Sequence, residues 1–566
     1  MQAVAMDLDY RASALNRMRA TTFDVLVIGG GVTGAGIALD AVTRGLTTAL
    51  VEQRDLASGT SSRSSKLLHG GLRYLEQFDI ALVREALRER DLHLTTLAPH
   101  LARPVPFLYP LTGAAWERAY VGAGIALYDA LGGARHLPRH RHLTRRAALR
   151  IAPALRSDAF RGAIRYHDAQ VDDARHTMEI ARTAASFGAC IATSASVTGF
   201  VREGERVVGA TILDGESNST ITLRARQVIN ATGVWTDTVQ SLIGRGRIKV
   251  RASKGVHLVV PRDRILADSG LILRTPRSVL FVIPWGRHWI IGTTDTEWNL
   301  DLAHPAASRA DIDYLLAHVN TVLRHPLTHE DVEGVYAGLR PLLAGESDAT
   351  STLSREHAVA TTAPGLVTIA GGKYTTYRVM ARDAVDVASR SLPGRIPDSV
   401  TDRTPLIGAI GHFALHNRRH ELAERFGLHI ARIEHLLGRY GALTEELLDM
   451  IHEDPSLKGP IPGAEDHLKV EALYAASHEG ALHLEDVLTR RTHISIETFD
   501  RGVRAAPHVA RLMARALRWD EDRIAREVAH YEARVTAERT SQHQQDDVDA
   551  DAARTEATDV RVVAGP

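Results

Sequence analysis

The stretch from Phe23 to Glu52, FDVLVIGGGVTGAGIALDAVTRGLTTALVE, constrains the fold more than any other. An apolar run, Phe23 to Ile28, enters Gly29-Gly30-Gly31-Val32-Thr33-Gly34. Small and apolar residues with helical character follow through Ala35, Ile37, Ala38, Leu39 and Ala41. A second apolar run, Thr47 to Val51, ends on Glu52. Strand, glycine turn, helix, strand and acid in this register predict a βαβ dinucleotide-binding unit. Gly29 permits the tight turn, Gly31 lets backbone approach a pyrophosphate, and Gly34 lets the helix pack on the strand. The helix start offers free N–H groups and a positive dipole end to phosphate. Glu52 follows at about the 20-residue spacing at which a carboxylate accepts ribose hydroxyls.

What comes after Glu52 separates a flavin from a nicotinamide cofactor. Ser58-Gly59-Thr60-Ser61-Ser62-Arg63-Ser64-Ser65-Lys66 is dense in small hydroxyl residues, and Leu67-Leu68-His69-Gly70-Gly71 follows. Hydroxyls and amides there suit the pyrophosphate and ribityl chain of FAD, an extension that NAD enzymes do not need. The plain alternative is a flexible serine-rich loop. A later strand, Gln227 to Ala231, ends in Thr232-Gly233-Val234-Trp235. Another, Leu366 to Ala370, ends in Gly371-Gly372-Lys373-Tyr374-Thr375, with a helix expected from Thr375. Both resemble strands that return to a cofactor and present backbone N–H groups to it.

At 566 residues the chain is too long for one core. Balanced charge gives no global field for nucleic acid, so anion recognition must come from local Arg and Lys. Cys190 is the only cysteine, which excludes an intramolecular disulfide and a thiolate metal cluster; no metal is expected. No apolar run reaches the roughly 18 residues of a membrane span. Residues 1–21 read as an N-terminal extension without a signal-peptide core, whose Leu8, Tyr10, Leu15 and Met18 suit a short surface helix open to membrane contact. Residues 135–146, with Arg135, His136, Arg139, His140, Arg141, His142, Arg145 and Arg146, read as a solvated basic loop, with anionic lipid as the alternative partner.

The predicted fold class is α/β with α+β character. Residues 22–395 interleave a Rossmann-like FAD-binding domain with a discontinuous β-sheet substrate domain. Helical patterns at 414–426, 430–440, 443–451, 467–490 and 507–536 define a helical C-terminal domain over 400–540. Its His478, His483 and His493 read as packing or surface residues rather than ligands. The tail, 541–566, is acidic and rich in Gln and Ala and is expected to be disordered.

These motifs together resemble the FAD-dependent glycerol-3-phosphate dehydrogenases, within the D-amino-acid-oxidase-like flavoproteins. The narrow part of the match is TSSRSSKLLHGGLRYLE, GTTDT and AGGKYTTYR; VDDAR, VINATGVWTD, KGVHLVVP, AGLRPLL, LSREHAV and HEGALHLEDVLTRR extend it over residues 22 to 535. The resemblance implies that Gly29, Gly31, Gly34 and Glu52 hold the pyrophosphate and adenosine ribose. Thr60, Ser61, Ser62 and Lys66 would lie along the flavin, Val197 beside the adenine, and Gly233 and Trp235 at the cofactor's border. Gly371, Gly372, Lys373 and Thr375 would meet the isoalloxazine end. Arg73, Tyr74, His257, Thr294, Asp295, Arg340, Arg355 and Lys373 would line the substrate site.

A phosphate dianion suits bidentate Arg, so Arg340 and Arg355 are the expected phosphate ligands. Hydride transfer from C2 of glycerol 3-phosphate needs a base for the hydroxyl proton. His257 is the first candidate, the alternative being a structural histidine bonded to backbone. Lys373 would stabilise the reduced ring or polarise the substrate oxygen, which makes His257, Arg340 and Lys373 the expected catalytic set. The family also implies a quinone acceptor, a cytoplasmic enzyme peripheral to the inner face of the membrane, and compatibility with a homodimer. The alternatives are an oxygen-using glycerol-3-phosphate oxidase, an amine or amino-acid oxidase of the same fold, and a non-catalytic flavoprotein.

Overall fold

The computed structural model describes residues 3–71, 79–113, 115–132, 137–244, 248–275, 279–344 and 357–561. Strands of two large sheets alternate along residues 22–371, and a helical region follows. The architecture is therefore the mixed α/β one expected, with both domains discontinuous.

The first sheet runs His357–Ala363, Leu366–Gly371, Ser219–Asn230, Thr22–Ile28, Thr48–Val51, Cys190–Ala192, and the hairpin Ala195–Glu203/Arg206–Asp214 pairs onto Ser219–Asn230. Thr22–Ile28 is parallel to both neighbours, with Val27 opposite Ile229 on one side and Leu50 on the other. Parallel strands covered on both faces need unbroken apolar sequence, which VLVI and TALV supply. Val25 and Val27 pack toward helices Val32–Thr43, Asp173–Ser186 and Tyr377–Ser389. Leu26 and Ile28 pack toward the antiparallel hairpin and the N-terminal helix Leu8–Ala20. That helix starts where Asp7 accepts a hydrogen bond from Tyr10 N at 2.8 Å. Its Leu15 and Met18 are buried against the sheet. The apolar side expected to be open to a membrane is thus consumed by the fold.

The second sheet centres on the long strand Val250–Pro261, which pairs antiparallel with Gly334–Leu343, His288–Gly292 and Thr296–Trp298. It continues through Val279–Trp285, Gly270–Arg274, Arg103–Leu111 and Gly162–Gln170 to Leu67–Leu68. Alternation divides its faces. Val256, Leu258 and Val260 pack on helix Arg309–Asn320, whereas Val259 shares the opposite face with Phe107, Ile272 and Ile283. His257 projects from that opposite face, toward the first sheet.

The helical region differs from its sequence pattern in detail. The run expected over 467–490 stops at His478, where Gly480 takes a positive φ of 68°, and resumes as a turn at Asp486–Arg491. The run over 507–536 breaks at Arg518, and Asp520 caps Glu521–Ser541. The basic segment is a loop only in part: residues 137–140 are neither helix nor strand, but Arg141–Thr144 is an edge strand on Gly162–Gln170 and Arg145–Ile151 a helix. Arg135 and His136 lie outside the described residues. Buried ion pairs join the helical region to the cofactor sheet. Arg175 meets Glu479 at 2.7 Å with both side chains fully buried, and Arg490 and Arg491 meet Asp55 at 2.6 and 2.8 Å. His493 bonds Asp172 at 2.9 Å, His483 sits between Glu216 and Glu527, and His478 stacks on Tyr474.

The tail departs most from expectation. Asp547–Thr555 is a helix capped by Asp546. Asp547 pairs with the buried Lys254, Asp559 with Arg54 at 2.8 Å, and Ala550 packs with Val234 and Leu339. Composition predicted disorder, but these anchors lie hundreds of residues away and leave no local trace in the sequence.

Candidate active site

A cavity of about 940 Å³ runs between the two sheets. One end is the glycine turn. Gly29 takes a φ of 110°, and a Cβ there would come within 2.7 Å of Ala231 O. A Cβ at Gly34 would sit 1.9 Å from Gly29 O, so strand and helix meet at a distance only glycine allows. Glu52 borders the cavity and also braces the turn, accepting from Gly30 N at 2.6 Å and Arg54 N at 2.9 Å; burial raises its pKa. Ser61 Oγ accepts from Val32 N at 2.9 Å at the helix start, and Thr60 Oγ1 donates to Leu339 O.

Of the residues expected around the cofactor, Gly29, Gly31, Glu52, Thr60, Ser61, Val197, Gly233, Trp235, Gly371, Gly372, Lys373 and Thr375 line this cavity. Gly34, Ser62 and Lys66 do not. Gly34 acts one layer behind, in helix packing. Lys66 departs from the expected place along the flavin: its side chain is fully buried, pairing with Asp173 at 2.5 Å and donating to Ser62 O at 3.1 Å. A lysine beside a helix carrying a buried aspartate is held there rather than along an open wall.

The other end is built on the second sheet. Arg340 projects from Gly334–Leu343 and donates to Thr293 Oγ1 at 3.0 Å and Thr294 O at 3.2 Å, with Asp295 at 3.6 Å. Ser253 in turn donates to Asp295. This frame fixes the guanidinium against the wall, and a Cβ at Gly255 would lie 2.5 Å from Arg340 Nη2. His257 stacks on Tyr336 with ring centroids 4.8 Å apart, and its Nε2 contacts Ser65 Oγ at 2.8 Å. Burial, then the charges of Arg340 and Lys66, hold its pKa well below the usual 6.5. His257, Asp295, Arg340 and Lys373 all line the cavity. Thr294 does not, its hydroxyl being spent on Val256 N at 3.0 Å. Arg73, Tyr74 and Arg355 lie outside the described residues.

Ser65 and His69, which the sequence placed in the cofactor segment without an individual role, and Arg274 and Thr293, which it passed over, also line the cavity. His69 sits in the HGG turn and exchanges hydrogen bonds with Thr375, a pairing of two glycine turns far apart in the sequence. Arg274 ends a strand with no motif around it, and only the folded sheet brings it near.

The cavity fits an extended dinucleotide flavin. The glycine turn, the helix start and Glu52 stand at one end, and a chain of hydroxyls leads to a second glycine turn at Gly371-Gly372. A cationic and imidazole pair lies beyond. Redox chemistry at that far end would face Arg340 and a neutral His257.

Comparison with known proteins gives the family. The FAD dependent oxidoreductase family matches residues 24–378, and the C-terminal domain of alpha-glycerophosphate oxidase matches residues 399–524. The chain is 60% identical to glycerol-3-phosphate dehydrogenase 2 of Mycobacterium bovis over 560 residues, covering 99% of this chain and 96% of that one. It is 36% identical to the human mitochondrial glycerol-3-phosphate dehydrogenase, covering 90% of this chain and 72% of that one. The crystal structure of the glycerol-3-phosphate dehydrogenase from Bacillus halodurans complexed with FAD superposes with a TM-score of 0.78 at 30% identity, covering 94% and 98% of the two chains.

Proposed function

Since this chain belongs to the FAD-dependent glycerol-3-phosphate dehydrogenase family, we propose that it oxidises sn-glycerol 3-phosphate to dihydroxyacetone phosphate and delivers the electrons to a membrane quinone. The observation that carries this reading is the convergence of Arg340 and a neutral His257 on the cavity that begins at the Gly29–Gly34 turn. Bound FAD supplies the hydride acceptor.

The chain's own residues supply the rest. The helix start at Val32 and the Gly29 and Gly31 backbone would hold the pyrophosphate, Glu52 the ribose, and Gly371, Gly372 and Thr375 the ring end. Arg340, held by Thr293, Thr294 and Asp295, binds the substrate phosphate as a fixed fork, so little side-chain freedom is lost on binding. His257 is neutral at physiological pH because charging it in this site is costly, so it is ready to take the C2 hydroxyl proton as the hydride leaves. Ser65 and Tyr336 fix the ring's plane. Lys373 places positive charge where negative charge develops.

Among the described residues no helix is long and apolar enough to cross a membrane. Helix Ala115–Leu131 nevertheless exposes Trp116, Tyr120 and Leu127 at helical spacing. Exposed Arg141, Arg145 and Arg146 stand beside it, joined by the Arg118 to Leu143 O bond of 2.9 Å. An aromatic face rimmed by arginines supports peripheral docking on an anionic bilayer, where a quinone is reached. The acceptor assignment is tested by comparing turnover of glycerol 3-phosphate with a soluble quinone analogue under nitrogen against turnover with oxygen alone. Faster oxygen-linked turnover would favour an oxidase.

A further inference from the structure

A separate cavity of about 100 Å³ lies where the serine-rich loop, the helical region and the C-terminal helices meet. Its wall carries Arg63, Arg490, Arg501, Arg534 and Arg554 against Glu485 and Glu538. Most of this charge is matched. Arg490 pairs with Asp55 and Asp486 at 2.6 and 2.5 Å, Arg534 with Glu485 at 2.8 Å, and Arg501 with Glu538 at 3.5 Å. Two guanidiniums are left over. Arg63 donates to Ala303 O at 3.1 Å and pairs with no carboxylate among the described residues. Arg554 is 6% exposed, and its Nη1 is buried without a hydrogen-bond partner among the described residues. Burial, then neighbouring arginines, pulls Arg63 down to about 9 and Arg554 down to about 10.

Arg63 is half-buried where it borders the cofactor cavity, whereas Arg554 is buried; a buried guanidinium without a counter-charge is strongly unfavourable, and such groups in folded proteins find a partner. The cavity is too small for a nucleotide but has room for a few waters or one small oxyanion. Two unmatched positive charges balance a dianion, and the guanidinium fork matches tetrahedral oxygens. We propose that this cavity binds a phosphate-type dianion that bridges Arg63 of the cofactor-binding loop and Arg554 of the C-terminal helix. The consequence is local. Arg63 also borders the cofactor cavity, and the helix of Arg554 packs Ala550 beside Val234 and Leu339. The anion therefore rivets the tail onto the cofactor loop, at a site distinct from Arg340 and His257.

Hydrogen exchange of the FAD-loaded full chain, followed by mass spectrometry over Asp547–Thr555, tests this without interference from phosphate bound at the substrate end. Inorganic phosphate is compared with sodium chloride at equal ionic strength, and with glycerol 3-phosphate to separate the free ion from a phosphate ester. At phosphate ten times its dissociation constant, exchange through opening of this helix should slow about 11-fold. Arg554→Met and Arg63→Met should each abolish the response, the second with the tail arginine intact in case the first loosens the helix. No response in the wild type, an equal response to chloride, or a response retained in both variants would overturn the proposal. Protection by glycerol 3-phosphate alone would replace the free ion by an ester.

Discussion

In the proposed mechanism His257 and Arg340, which both line the cavity, carry the chemistry and make the sharpest demands at the residue scale. Replacing His257 by Ala should slow substrate-driven flavin reduction by about 10²–10⁴-fold while leaving substrate affinity nearly unchanged. Stopped-flow reduction measured across substrate concentrations separates the two. Because the pKa of His257 is depressed, its base form survives below the ordinary histidine value. The acid limb of kcat/KM for the wild type should therefore fall below pH 6.5, and a half-loss at or above that pH would contradict the assignment. Arg340→Met removes charge-assisted hydrogen bonds worth about 1.5–3 kcal/mol, which raises KM about 10- to 100-fold in steady-state assays. Their place on the cavity wall was legible in the sequence because KGVHLVVP and AGLRPLL are distinctive strings. Lys66 was not, since its partner Asp173 lies on another element and nothing around Lys66 announces the pair.

Among the elements, the glycine turn is both the most legible and the least tolerant. Strand, turn and helix follow from local pattern, and Gly34 is fixed by the approach of helix to strand rather than by backbone angle. Gly34→Ala would push a methyl to 1.9 Å from Gly29 O. The variant should purify with much less flavin per chain and lose more than about 1–3 kcal/mol of stability, read from visible absorbance and thermal melts. Retention of full flavin content would refute the close-packing account. The helical patterns were legible as helices but not in their breaks. Gly480 and Arg518 interrupt them through left-handed backbone that apolar periodicity does not register. The edge strand Arg141–Thr144 was invisible for a related reason: its basic side chains face solvent, and only pairing with Gly162–Gln170 makes it a strand.

At the scale of the whole molecule, long-range charge decides what composition could not. Asp55, Asp172 and Arg175 of the cofactor domain each meet a partner beyond residue 478, so the helical region is fixed to the sheet rather than hung from it. The tail folds through the same kind of contact, with Lys254 and Arg54 as its anchors. On the opposite side of function, Trp116→Ser combined with Tyr120→Ser should reduce co-sedimentation with anionic vesicles while leaving turnover with a soluble acceptor unchanged. Equal binding by the variant would move the docking face elsewhere. One cavity is proposed to place glycerol 3-phosphate against FAD. The most direct measurement is the visible absorbance of the purified, FAD-loaded protein as glycerol 3-phosphate is added without oxygen. Glycerol 3-phosphate should bleach the flavin and glycerol should not, with dihydroxyacetone phosphate formed in step; a flavin that stays oxidised would rule glycerol 3-phosphate out as the substrate.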